Sequence, residues 1–194
     1  MKYPDILKPD FSARDIASGV DQTISHRWSP RSFRKAAIAD EDIQTLFEAA
    51  RWAPSCFNAQ PWTFHLSTDE SFDRYLSLLA EGNRIWAKNA SLIGFVVVKK
   101  TFEHNGKPNN YAEFDAGAAW MAMSLQARQM GLYTHGMGGI HHQQVAEYLA
   151  LDDDHKVVCG IVIGIADTPD ALPAEVAAKE KPSARKPLSQ VLRR

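Results

Sequence analysis

The chain has 194 residues, 45% of them hydrophobic and 23% charged, and its 22 Lys+Arg against 23 Asp+Glu leave a formal charge of −1. A chain of this length fits one domain and buries roughly 70% of the surface that its unfolded form exposes, so a full core is available. The composition argues against a disordered chain, the charge balance gives no support to a nucleic-acid binder held by global charge, and no apolar run approaches the ~18–20 residues of a membrane span.

The N-terminal stretch MKYPDILKPDF carries Asp5 and Asp10 and has no apolar signal core, so no secretory signal is expected. Residues 1–20 read as an N-terminal extension and 21–194 as the domain proper. Residues 1–15 hold Pro4 and Pro9 and no periodicity, while Ile16, Val20 and Ile24 repeat every four residues and predict a helix over Asp15–His26. RWSPRSFRK (27–35) breaks that pattern with four basic residues and no acid. Asp40 is suited to cap the next helix, whose inner face is Ile43, Leu46, Phe47 and Ala50, and Pro54 marks its end. Residues 55–61 read as a loop, and Trp62, Phe64 and Leu66 alternate as in a half-buried strand. Ser71–Ala80 reads as a helix and Leu92–Val98 as a strand buried on both faces. Glu103–Asn110 is a polar loop. Tyr111–Met130 is the longest predicted helix, with a stripe of Phe114, Ala118, Met121 and Leu125, small residues at 116–119 and Gly131 at its end. A short strand at Leu132–His135 leads into a glycine turn at 136–139, then a helix at Gln143–Leu149 and a second buried strand at Val157–Ala166. The tail from 179 to 194 holds six Lys/Arg against one Glu. Strands alternating with helices, two of them apolar throughout, predict a sheet covered by helices on both faces. Two distant cysteines, Cys56 and Cys159, exclude a disulfide framework and suggest a reducing cytoplasm.

Three segments carry candidate chemistry. Arg27-Trp28-Ser29-Pro30-Arg31 offers two guanidinium forks flanking a hydroxyl, which suits a phosphate or a carbonyl-rich ring edge and equally suits a solvated basic turn. Pro54-Ser55-Cys56-Phe57-Asn58-Ala59-Gln60-Pro61-Trp62 is dense in donors and acceptors, and serves either a ligand or its own backbone. Gly136–Gly139, with Met137 within it, lets backbone N–H groups approach a ligand, or makes an ordinary tight turn. His135, His141, His142 and Cys159 show no metal-ligand spacing, and no metal is expected; no G-x-G-x-x-G opens a helix after a strand.

Together these segments resemble the FMN-dependent nitroreductase family over roughly 21–192. The R-x-S-x-R-x-F pattern stands at Arg27, Ser29, Arg31 and Phe33, and P-S-x-x-N-x-Q-P-W stands at Pro54, Ser55, Asn58, Gln60, Pro61 and Trp62. The G-L…G-G element stands at Gly131-Leu132 and Gly138-Gly139, and R-x-P-L at Arg185–Leu188. The resemblance implies a three-layer α+β (α/β) sandwich with a central mixed sheet. It also implies an intertwined homodimer with FMN at each interface site, and NAD(P)H as a transient electron donor. Arg27, Ser29 and Arg185 would then hold the phosphate and ribityl chain, with Arg31 at the pyrimidine edge of the flavin. Asn83 would touch the ring, Gly138 would present its N–H to flavin N5, and Gly139 and Met137 would flank it. Pro54, Ser55, Cys56 and Asn58 would arrive from the other subunit. No protein acid or base is needed, since the flavin carries the redox step. Trp28 and Ser183 occupy positions that are often basic in the family, which would leave compensation to Lys181 or Lys186. Nitroaromatics and quinones are the expected acceptors; an enone reductase, a dehalogenase or a non-catalytic flavin-storage protein are the alternatives.

Overall fold

The two segments expected to be buried on both faces lie side by side at the centre of a five-stranded sheet. In the computed structural model, which describes residues 2–194, the elements are α1 (Gln22–Ser25), β1 (Phe33–Arg34), α2 (Asp40–Arg51), β2 (Trp62–Leu66), α3 (Phe72–Ser77), α4 (Glu81–Ala87) and β3 (Leu92–Lys99). They continue with α5 (Ala112–Met130), β4 (Tyr133–Met137), α6 (His142–Tyr148), β5 (His155–Ala166), α7 (Ala174–Ala177) and α8 (Leu188–Val191). Strand β5 is the axis. On one side it pairs with β3 from Leu92↔Ile163 to Lys99↔His155, and β2 lies outside β3. On its other side β5 carries β4, from Tyr133↔Gly164 to Met137↔Gly160, and the last residues of β5 pair with the short β1, at Phe33↔Ala166. Every pairing is antiparallel, so within one chain the expected mixture of strand directions does not occur.

The period-2 alternation of a strand sends its residues to two cores. Ile93, Phe95 and Val97 join Phe72, Tyr75, Leu79, Trp86 and Tyr133 on the face covered by α3, α4 and α6. Val96 and Val98 join Ile161, Ile163, Leu46 and Met123 on the face covered by α2 and α5. This is the three-layer α+β sandwich expected. On α5 the buried row is Ala112, Ala116, Ala119, Met123, Ala127 and Met130, at helical spacing, and its small side chains let the helix lie close to the sheet. The predicted stripe lies on the other side: Phe114 is 79% exposed. The left-handed backbone of Gly131 (φ 92°) ends the helix, as its missing Cβ allows.

Local differences have local causes. The helix predicted over Asp15–His26 shrinks to one turn, because Ile16, Val20 and Ile24 are all exposed and an isolated helix without a buried face does not hold. Asp40 begins α2 instead of capping it; Ala39 takes the cap position, and the acids Asp40, Glu41 and Asp42 meet the positive end of the helix. The helix expected at Ser71–Ala80 is α3, which ends at Ser77; Leu79 then bridges to Ile140, and α4 follows at 81–87, where no helix is expected from the sequence. Gly136 and Met137 belong to β4, not to a turn. The N-terminal segment is irregular but pinned. Asp5 pairs with Arg128 at 2.8 Å and accepts from the Tyr133 hydroxyl at 3.0 Å, and Asp42 receives Lys2 at 2.8 Å and Tyr3 at 2.6 Å.

Gly94, opposite Leu66 on β2 and Ile161 on β5, is required by close approach: a Cβ there would stand 2.9 Å from the His65 carbonyl and 2.7 Å from Leu66 Cδ2. Gly94→Ala therefore overpacks the sheet centre and should cost ~1–3 kcal/mol in urea unfolding, with the m-value unchanged.

Candidate functional site

The basic segment after α1 and the basic tail, far apart in sequence, meet in space. Arg14, Arg27, Trp28, Ser29, Arg31, Lys179, Lys181, Ser183 and Arg185 line one cavity of about 330 Å³. Its floor is the core: Trp28 is buried edge-on against Tyr133, their ring centres 6.4 Å apart. Arg27 Nη1 donates to Ser29 Oγ at 3.2 Å, and Arg185 Nη1 donates to the Ser183 hydroxyl at 2.9 Å. The acid in this segment, Glu180, is committed elsewhere: its Oε1 accepts the backbone N–H groups of Arg31 and Ser32, both at 2.7 Å. Burial, with Arg185 and Arg14 close by, pushes the Arg27 guanidinium below its ordinary pKa. Like charges crowded together at reduced solvation repel by several kcal/mol per close pair at an effective dielectric near 20, so the arrangement favours an anion.

A second group adjoins this cradle along β4. His135 Nδ1, at 2.9 Å from the Pro30 carbonyl, carries the proton that this carbonyl accepts, and its ring lies 4.7 Å from that of Trp86 on α4. One turn earlier on α4, Asn83 Nδ2 donates to the Gly139 carbonyl at 2.9 Å. Gly139 is needed for that contact, since a Cβ would fall 2.7 Å from Asn83 Nδ2. At Gly138 a Cβ would meet nothing within 4 Å, which leaves its backbone open to approach. Met137 offers only its backbone to this side, because its side chain is buried in the core.

The loop Pro54–Asn58 lies elsewhere. Phe57, Asn58 and Gln60 hold left-handed φ angles of 52°, 55° and 46°, a costly conformation for residues with side chains. Hydrogen bonds within and from the loop keep it, among them Gln60 N–H to Ser55 Oγ at 2.9 Å and Cys56 N–H to the buried carboxylate of Asp115 at 3.0 Å. Ser55 and Gln60 thus serve the loop itself, as their types allowed. Phe57 and Asn58 line a different cavity of about 410 Å³, with Lys99, Thr101, His104 and His155. The loop joins β2 at the end of the sheet where Val98 pairs with Lys156, whereas the basic cradle joins at Phe33↔Ala166. From Lys156 to Ala166, β5 advances ~3.3 Å per residue, on the order of 30 Å in all, further than a flavin mononucleotide reaches. Within one chain the loop therefore stands far from the arginines of the cradle.

A larger cavity of about 750 Å³ lies between Lys35–Ile38, Leu66–Glu70 and Ser91–Leu92. It contains none of these residues, and its acids Asp40, Asp69 and Glu70 outnumber its one lysine, so it has no anion-binding character. Sequence reading missed Arg14 and Lys179 in the cradle. Arg14 stands in the N-terminal extension with no motif around it; Lys179 was visible only as part of a basic tail. Lys186 is exposed and does not line the cavity.

The family model described as the nitroreductase family matches residues 24–93 and 77–165. A solved structure described as an oxidoreductase containing FMN superposes with a TM-score of 0.88 at 41% identity, covering 92% of this chain and 93% of its own. A Streptomyces coelicolor protein provisionally named NADH dehydrogenase/NAD(P)H nitroreductase is 28% identical over 154 residues, 69% of this chain and 78% of its own. The 4-nitrobenzoate reductase of Pseudomonas putida is 24% identical over 200 residues, 78% of this chain and 87% of its own.

Burial of the neutral His135 ring makes stability pH-dependent. Burial, with Arg31 and Arg27 nearby, pushes the His135 pKa down to about 4. The unfolded value is near 6.5, so as pH falls the unfolded chain takes the proton first. Stability is whole above pH ~6.5 and should fall by about 2 kcal/mol on approach to pH ~4.5. Urea unfolding of the native chain and of His135→Gln at pH 7.5 and 4.5 checks this: the variant should lose less, and an equal loss would exclude His135 as the source.

Proposed function

This chain belongs to the nitroreductase family, and from that footing we propose that it is an NAD(P)H-dependent FMN oxidoreductase that reduces nitroaromatic, quinone or related acceptors. The observation that carries the reading is the anion cradle. Its cations converge while Glu180 Oε1 is bonded to backbone N–H groups, and Arg14 Nη2 is buried without a hydrogen-bond partner. That donor set matches a phosphomonoester, which presents several acceptor oxygens and about two negative charges. The 41% identical FMN-containing oxidoreductase and a 26% identical Bacillus subtilis FMN reductase (NADPH) support the same cofactor and donor.

In this reading Arg27, Ser29 and Arg185 bind the phosphate end of FMN, and the family residues Arg31, Asn83, Gly138 and Gly139 attend its ring. FMN, when bound, would supply the hydride-transfer chemistry between NAD(P)H and the acceptor. The protein's part is binding, orientation and charge. Arg31 brings a permanent cation to the cofactor, which favours whichever oxidation state carries more negative charge. Asn83 fixes the Gly139 carbonyl and so the course of the backbone at Gly138. The strained loop at Pro54, Ser55, Cys56 and Asn58 covers the ring from a second copy of the chain, excluding water. A homodimer is supported by the exposed aromatics Trp52 at 74%, Phe57 at 80% and Phe114 at 79%, which a single chain leaves in water. No helix among the described residues is long and apolar enough to cross a membrane, and a cytoplasmic location accords with the two free cysteines.

The purified protein should absorb as a flavoprotein and release FMN on denaturation. NADH or NADPH should bleach it anaerobically, and a nitroaromatic should restore the colour. A colourless protein that FMN does not reconstitute overturns the reading, and a yellow one that neither nucleotide bleaches points to flavin storage instead. Light scattering at low protein concentration should give about twice the chain mass of 21.6 kDa; a monomer that holds FMN tightly would refute the shared site.

A further inference from the structure

Arg14 belongs to the N-terminal extension, before the residues that the family model matches. It nevertheless stands in the cradle wall with Arg27, Ser183 and Arg185. Its guanidinium is held on three sides. Nε donates to the Ser183 carbonyl at 3.1 Å, and Nη1 donates to the Arg27 carbonyl at 3.1 Å and to the Ser25 carbonyl. Its plane lies over the Phe11 ring at 5.1 Å, and Phe11 in turn stacks on His26 at 4.3 Å. Three of the five N–H groups of a guanidinium are thus used, all on carbonyls, and the two on Nη2 are buried with no partner. An unpaired buried donor on a charged group is costly, so an acceptor that reaches Nη2 is bound favourably. Burial and the neighbouring Arg185 also push the Arg14 guanidinium below its ordinary pKa, as expected of a cation that lacks a counter-ion.

We propose that Arg14 is a phosphate-binding residue supplied by the N-terminal extension, donating from Nη2 to the phosphomonoester of FMN while its other donors tie the Arg27 segment to the tail at Ser183. The identification of the phosphomonoester as that of FMN rests on the cofactor reading above. The cradle recovers a basic contact despite Trp28 and Ser183, because Arg14 enters from outside the family pattern. The same guanidinium also ties the N-terminal and C-terminal segments together at the cavity wall.

The test titrates the apoprotein, as native chain, Arg14→Met and Arg14→Lys, with FMN, with riboflavin and with inorganic phosphate. A charge-assisted hydrogen bond predicts that Arg14→Met weakens FMN binding roughly ten- to a hundredfold and weakens phosphate binding with it. Riboflavin affinity should stay within about twofold, and Arg14→Lys should fall between native and Met because it keeps the charge without the fork. Circular dichroism melting confirms that each variant is folded. If FMN and riboflavin weaken by the same factor, or FMN is unaffected by either substitution, the residue is only a structural tie and the proposal fails. If the native chain binds phosphate in an Arg14-dependent way but not FMN, the cofactor reading falls and the phosphate site stands. A native chain that binds neither overturns both.

Discussion

Two half-buried guanidinium groups, Arg14 and Arg27, share one cavity wall with exposed cations of the tail, and much of this end of the structure is arranged around that charge. Arg14, Arg27, Lys179, Lys181 and Arg185 converge on one cavity, while the adjacent carboxylate of Glu180 is taken up by the N–H groups of Arg31 and Ser32. Glu180 does not neutralise the cluster. It fixes the backbone that presents Arg31, and so sets the shape of the cradle without filling it. Surface ion pairs contribute little, but charges held by packing and carbonyl contacts cannot relax away from one another, and their repulsion is relieved when an anion binds. A ligand of that charge is therefore part of what stabilises this end of the molecule.

The sheet decides which segments can take part. Strand β5 pairs with β1 near Ala166 and with β3 near His155, so its length separates the cradle from the Ser55–Gln60 loop. Each end has its own support. At one end His135 bonds the Pro30 carbonyl and rests on Trp86, linking β4, α4 and the basic segment. At the other end the Asp115 carboxylate, buried on the first turn of α5, holds Cys56 N–H and with it a loop that three left-handed residues would otherwise let relax. Strain of this kind persists only where the surroundings over-determine it, and it is found most often at functional sites.

The N-terminal extension does more than its irregular backbone suggests. Lys2 and Tyr3 bind Asp42 on α2, Asp5 joins Arg128 and Tyr133, and Arg14 reaches the tail. It runs from the α2–α5 layer to the cradle, so the order of the anion site depends on residues that precede the first helix.

The layer order, the two central strands and the residue types of the site were legible in the sequence. An unbroken apolar run such as Leu92–Val98 can only be buried on both faces, and the spacing of Arg27, Ser29 and Arg31 forms a pattern within nine residues of β1. What the sequence did not contain is set by contacts between distant segments. Whether Ile16, Val20 and Ile24 form a helix depends on a partner surface that the fold does not supply. Which face of α5 is inside depends on the sheet: the small residues face it and Phe114 faces solvent. Arg14 has no local signal at all, because its role arises from three carbonyls that only the tertiary structure brings to it, two from the Ser25–Arg27 segment and one at Ser183. Local patterns report what a residue can do; the direction its polar atoms face is decided by the chain packing around them.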